Sequence, residues 1–110
     1  MPFLTIYTNS DVIDANITVE AANLVAKQLS KPIRYVVVNI INNKNMIFDG
    51  GDKKGALIEM KSIGFANKRE LAELLTDFIE DKLQVERGLI NIEFVDMPSA
   101  TVSIGGSLLG

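Results

Sequence analysis

Pro2 is the first residue of this chain that could do chemistry. Removal of an initiator methionine is favoured before a small residue, and it would leave proline at the N-terminus as a secondary amine. An α-amino group has a reference pKa of roughly 7.7–8.0. Burial in an apolar pocket disfavours its charged form and lowers that value, giving a base poised near neutral pH. Such a base matters here because the sequence contains no cysteine and no histidine. Disulfides, thiol nucleophiles, cysteine-based zinc sites, Ser-His-Asp triads and imidazole acid/base chemistry are thereby excluded. Proton transfer falls to a carboxylate, a lysine, a tyrosine or a terminal amine.

Several other residues carry both a functional and a structural reading. Lys31 is a cation that could anchor an anion, and equally a helix C-terminal cation complementing the macrodipole. Asn91 and Glu93 alternate with Ile90, Ile92 and Phe94, the pattern of a strand with one polar face. Asp49 and Asp52 flank two glycines but supply too few ligands for calcium and read as a solvated turn. Tyr7 and Tyr35 read as strand residues with a hydroxyl at the edge of the core.

The elements that must position these residues occur twice. Phe3 to Tyr7 alternates apolar side chains and predicts a strand, and the polar stretch Thr8 to Asn16 predicts a loop. Ile17 to Leu29 places Ile17, Ala21, Val25 and Leu29 on one face of an amphipathic helix, which Lys31-Pro32 ends. Tyr35 to Ile41 is β-branched and nearly continuous, as expected of a strand covered on both faces. After Asn42 to Asn45, the short apolar piece Met46 to Phe48 and the turn Asp49-Gly50-Gly51-Asp52, the pattern repeats. Ala56 to Ile63 predicts a strand, Asn67 with Glu70 resembles a capping box, and Leu71, Leu74, Leu75, Phe78 and Ile79 follow helical spacing. Leu89 to Val95 predicts the closing strand. An offset of 53 superposes Leu4 on Leu57, Arg34 on Arg87, Val36 on Leu89 and Val37 on Ile90.

Two strand-helix-strand units with right-handed crossovers predict an α+β domain. In it a four-stranded mixed sheet carries both helices on one face, with pseudo-repeats at about 1–52 and 53–110 of a single domain. The opposite sheet face is still apolar and calls for a cover. Of the 110 residues, 47% are hydrophobic and the mean hydropathy is +0.21, high for a domain that buries only about 65% of its unfolded surface. Surplus apolar surface points to an oligomer. The tail Thr101 to Gly110 could add a strand to an adjacent chain or fray.

The net charge is -3 and no basic run is present, so nucleic acid is not an expected partner. The apolar stretches are too short to cross a bilayer. Met1 to Tyr7 runs directly into a strand pattern and does not read as a signal peptide. The expected location is cytoplasmic, with leaderless secretion left open.

Pro2-Phe3-Leu4 followed by Tyr7-Thr8-Asn9, then Lys31-Pro32 with Tyr35, Ser62-Ile63-Gly64 and Asp96-Met97, resembles the macrophage migration inhibitory factor and D-dopachrome tautomerase family of the tautomerase superfamily, in order and spacing across essentially the whole chain. The resemblance implies a homotrimer with an active site at each subunit boundary and cofactor-free keto–enol tautomerisation of α-keto acids such as phenylpyruvate. It implies Pro2 as the base, Lys31 binding the substrate carboxylate, Ile63 offering its backbone, Tyr35 at the pocket rim and Val102 lining it. Asn91 and Glu93 stand where vertebrate members have tyrosine and asparagine, in a pocket built from two subunits. A Glu93 carboxylate would repel a carboxylate substrate unless protonated or turned away. The vertebrate Cys-x-x-Cys segment aligns with Gly55-Ala56-Leu57-Ile58, so no thiol redox activity carries over. Two rival readings follow: a cytokine-like trimer that binds a receptor with little or no catalysis, and hydration or decarboxylation of an unsaturated acid with Glu93 activating water.

Overall fold

The computed structural model describes residues 1–11 and 14–110. Val12 and Ile13, within the expected loop Thr8 to Asn16, lie outside the described residues. The first unit comprises β1 (Phe3–Thr8), α1 (Ile17–Leu29) and β2 (Val37–Asn42); the second comprises β3 (Ala56–Ser62), α2 (Lys68–Leu83) and β4 (Ile90–Asp96). A two-stranded hairpin, β5 (Ser103–Ile104) and β6 (Ser107–Leu108), follows. The main sheet has the order β2-β1-β3-β4. β1 runs parallel to β2 and β3 parallel to β4, while the central pair β1 and β3 is antiparallel. This is the expected mixed sheet, with β2 and β4 at its edges.

One sheet face is built by Leu4 and Ile6 of β1 with Ala56, Ile58 and Met60 of β3, all fully buried. Ile17, Ala21, Val25 and Leu29 of α1 and Leu71, Leu75, Ile79 and Leu83 of α2 cover it. Each helix contributes a residue every fourth position, as an α-helix with one apolar stripe must. α2 begins as expected: the Asn67 side chain accepts from the Glu70 N–H at 3.0 Å. On the other face Val37, Ile41 and Leu57 are 53%, 38% and 45% exposed. The expectation that the second strand is covered on both faces therefore fails within a single chain.

Three sequence expectations need correction. Tyr35 and Val36 do not enter the strand; Ile33–Tyr35 form a 3₁₀ turn and β2 starts at Val37. Leu89 likewise ends a 3₁₀ turn, Arg87–Leu89, before β4. β-Branched composition extends a strand prediction past the point where the chain must turn off the helix. The offset between units is 54, not 53. The buried stripes of the helices match at 54, as do the left-handed C-cap residues Ser30 and Gln84. In a strand a one-residue shift exchanges the two faces, and Leu4 is 1% exposed while Leu57 is 45% exposed. The true counterpart of Leu4 is Ile58.

Candidate active site

α1 ends in a Schellman motif. Ser30 adopts the left-handed conformation with φ 53°, its N–H donating to Lys27 C=O at 3.3 Å and the Lys31 N–H donating to Ala26 C=O at 2.9 Å. These bonds fix the backbone of Lys31 two residues beyond the helix. Pro32 then opens the 3₁₀ turn, closed by the Tyr35 N–H on Pro32 C=O at 3.0 Å. Tyr35 is held in turn by Arg34, whose guanidinium lies 4.7 Å from the ring centre and donates to the hydroxyl at 3.1 Å.

Beside this corner the chain start enters the sheet. The Val37 N–H donates to Pro2 C=O at 3.0 Å, and the Pro2 side chain is fully buried. A cavity of about 460 Å³ opens there, lined by Met1, Ser30, Lys31, Pro32, Tyr35, Ile104 and Leu109. The α-amino group of Met1 is held below its ordinary value, first by burial and then by the Lys31 charge. The site thus already acts on an amine at the chain start as a base requires: it disfavours the ammonium form.

The cavity brings Lys31 and Tyr35 to the chain start that carries Pro2. Ile63 follows β3 and is half-buried. The antiparallel register pairs Phe3 with Lys61, so its continuation sets Pro2 against Ser62 and Met1 against Ile63. That segment is pinned by the Met97 N–H on Ser62 C=O at 2.8 Å and the Gly64 N–H on the Asp96 carboxylate at 3.0 Å. Val102 is 5% exposed and sits beneath the hairpin, its C=O accepting from Leu109 N–H at 2.9 Å; it is not among the lining residues. Asn91 and Glu93 do not line the cavity of their own chain. They are exposed on the outer face of edge strand β4, in register with Leu57 and Glu59, because alternation along β4 turns Ile92 and Phe94 inward. Glu59 accepts from the Tyr7 hydroxyl at 3.3 Å and its charge holds that phenol above the usual range.

Ile104 and Leu109 were missed as lining residues. Gly105-Gly106, with φ of 58° and 90°, is the glycine pair that a two-residue hairpin turn demands. Flanked by Ile104 and Leu108-Leu109, it was the signal that the tail folds onto its own domain. Asp49 sits in an exposed turn, paired with Lys53 at 3.3 Å. Among the described residues no group of three or more carboxylates, histidines or cysteines could hold a metal ion, and no helix is long and apolar enough to cross a membrane.

A family model described as macrophage migration inhibitory factor matches residues 1–110. The chain is 33% identical over 115 residues to the macrophage migration inhibitory factor homolog of Brugia malayi and 31% identical to that of Wuchereria bancrofti, with the whole of each chain covered. Among solved structures it is similar to the homologue from Prochlorococcus marinus, with a TM-score of 0.91 and 29% identity over 98% of this chain and 99% of that one. It is also similar to the factor from Oncomelania hupensis, with a TM-score of 0.93 and 25% identity over 100% of this chain and 83% of that one.

Proposed function

This chain belongs to the macrophage migration inhibitory factor family, and from that premise we propose that it is a cofactor-free keto–enol tautomerase acting on a small enolisable keto acid. The observation that carries the reading is the amine at the chain start, held below its ordinary value by burial and by Lys31 at the mouth of a largely apolar cavity. With Met1 attached, the Pro2 nitrogen is an amide and cannot act as a base. Once Met1 is removed, Pro2 presents a secondary amine one residue further in, beside the space that Met1 occupied in the cavity.

The amine takes a proton from the carbon beside the substrate carbonyl, and the electron pair of that C–H bond forms the C=C bond of the enol. The C=O π pair moves onto the carbonyl oxygen, which takes the proton back from the ammonium just formed, so the amine is regenerated and the reaction is redox-neutral. Lys31 holds the substrate carboxylate, while Pro32, Ile104 and Leu109 offer apolar surface to the rest of the substrate. An apolar wall excludes water and keeps the amine neutral. Ile63, opposite the chain start, supplies backbone to the substrate, Tyr35 forms the rim and Val102 supports the wall from beneath.

The working assembly in this proposal is a homotrimer. The exposed apolar residues Val37, Ile41 and Leu57 on the outer sheet face are the surface it covers. Assembly would bring Asn91 and Glu93 of a neighbouring subunit toward the cavity. Their exposure in the single chain also supports a second reading, a receptor-binding trimer with little catalysis, in which Glu93 repels keto acids.

Intact mass and phenylpyruvate tautomerase activity on one preparation decide between them. A chain lacking methionine should be active, and Pro2→Gly should lower kcat/KM by roughly 10²–10⁴-fold, the range for losing a general base. Methionine-free protein without activity favours the receptor reading. Full activity with Met1 retained eliminates Pro2 as the base.

A further inference from the structure

The two units place a hydroxyl at the same point of the fold, and among the described residues one of them has a partner and the other has none. In the register of the sheet Thr8 stands opposite Ala56. At the offset of 54 the counterparts of this pair are Ser62 and Pro2, which the same register sets opposite one another one step beyond Phe3 and Lys61. All four side chains are buried on the helix-covered face. The Thr8 hydroxyl donates to Gly55 C=O at 2.6 Å and accepts from the Ser10 N–H at 3.0 Å. It is therefore bound to the peptide group that precedes Ala56. The Ser62 hydroxyl, fully buried, has no hydrogen-bond partner among the described residues.

By this correspondence the Ser62 hydroxyl lies on the same sheet face as Pro2 and across the strand from it, yet while Met1 is attached it makes no bond to the peptide group between them. While Met1 is attached, the Pro2 nitrogen carries no hydrogen and gives the hydroxyl nothing to accept. Removal of Met1 converts that nitrogen into an amine with one N–H when neutral and two when protonated. Cross-strand residues directly opposite one another have Cα atoms about 4.5–5.5 Å apart, within reach of a serine side chain. A buried hydroxyl left unpaired is costly, so a donor appearing beside it should be captured.

We infer that Ser62 is a positioning residue for the Pro2 amine: its hydroxyl accepts a hydrogen bond from the amine N–H and so fixes the direction of the nitrogen lone pair. This rests on Pro2 becoming the first residue, the premise of the proposed reaction. With one N–H held by Ser62 against the core, the lone pair is left facing the cavity that holds Lys31 and Tyr35. Hydrogen bonds to an ionised donor are the stronger kind, so Ser62 also favours the protonated amine and returns part of what burial takes away.

The test uses methionine-free protein, verified by intact mass and labelled with ¹⁵N-proline. The Pro2 amine is titrated by NMR in the parent, in Ser62→Ala and in Ser62→Thr, with thermal unfolding recorded for each. Ser62→Ala should lower the titration midpoint by about one pH unit, the size expected for losing a hydrogen bond to a charged donor. Ser62→Thr should return it to the parent value, and the acidic limb of the pH profile of kcat/KM should move with it. A midpoint unchanged or raised in Ser62→Ala, or a threonine variant that behaves like alanine, overturns the inference. The titration needs no turnover, so an inactive protein would defeat the tautomerase reading without deciding this one.

Discussion

The two ends of the sheet are built from the same plan and finished in opposite ways. At the offset of 54, Met1 corresponds to Gly55, Lys31 to Val85, Tyr35 to Leu89 and Ile63 to Asn9. At the second end the corner at Gly55 is filled, and the cavity of about 450 Å³ found there opens outside it, between Asn9, Lys44 and Asp52. The Asn9 side-chain Oδ1 accepts from the Gly55 N–H at 2.9 Å, and the Asn9 side-chain Nδ2 donates to Lys53 C=O at 3.0 Å. Phe48 lies over Gly55 so tightly that a Cβ there would meet its ring at 2.7 Å and Leu89 C=O at 2.6 Å. At the first end Ile63 offers no side-chain acceptor to the amine. Val102, six residues beyond β4 as Phe48 is beyond β2, is too small to cover the corner. What is an aromatic plug in one unit is a cavity of about 460 Å³ in the other. A repeated fold can thus keep one corner filled and leave the other open, with the change confined to a few positions.

Breaking the plug should cost most. Phe48→Ala removes a nearly buried ring and should destabilise the protein by about 3–5 kcal/mol in denaturant unfolding, while tautomerase activity at the other end persists. A loss under about 1 kcal/mol would mean that the second end is not held by this ring. The reverse change sharpens the comparison: Val102→Phe should push into the open corner and lower kcat/KM about tenfold or more, equivalent to about 1.4 kcal/mol, at a cost of about 1–3 kcal/mol in unfolding for the larger side chain at a buried position. Undiminished activity would show that Val102 and Phe48 are not counterparts in space. The smallest effect concerns the amine of protein that retains Met1. Its folded pKa lies below the ordinary value of 8.0, so the unfolded chain binds the proton more readily. Stability should therefore rise as pH climbs through the folded value toward 8.0, and fall as pH drops through it. N-terminal acetylation, which abolishes the titration, should flatten this part of the profile.

Much of this was legible in the sequence for identifiable reasons. The bounds of α1, the Asn67 cap and the buried stripe of α2 follow from local spacing and local hydrogen bonds, so a one-dimensional reading reaches them. Pro2, Lys31 and Tyr35 were placed by resemblance, and they meet at one corner. The offset went wrong by one because apolar identity, Leu4 against Leu57, was weighed without the face each residue occupies. Phe48 read as a short apolar piece, since nothing local says that its ring covers Gly55. The unpartnered Ser62 hydroxyl was equally invisible, because satisfaction of a polar group depends on what lies across the sheet. Asn91 and Glu93 conform to the plainer reading, the polar face of a strand; only a neighbouring chain would bring them to the cavity.

Met1 and Leu109 line the same cavity, although nearly the whole sequence lies between them. The β5–β6 hairpin must therefore close the longest loop in the chain before the wall of the site exists. Contacts of such separation pay their loop entropy before any local contact repays it, and they slow folding. The helices and the β1–β2 and β3–β4 crossovers are far more local. Along a refolding trajectory the core should thus consolidate first, and the competent site should be the last part of the molecule to arrive.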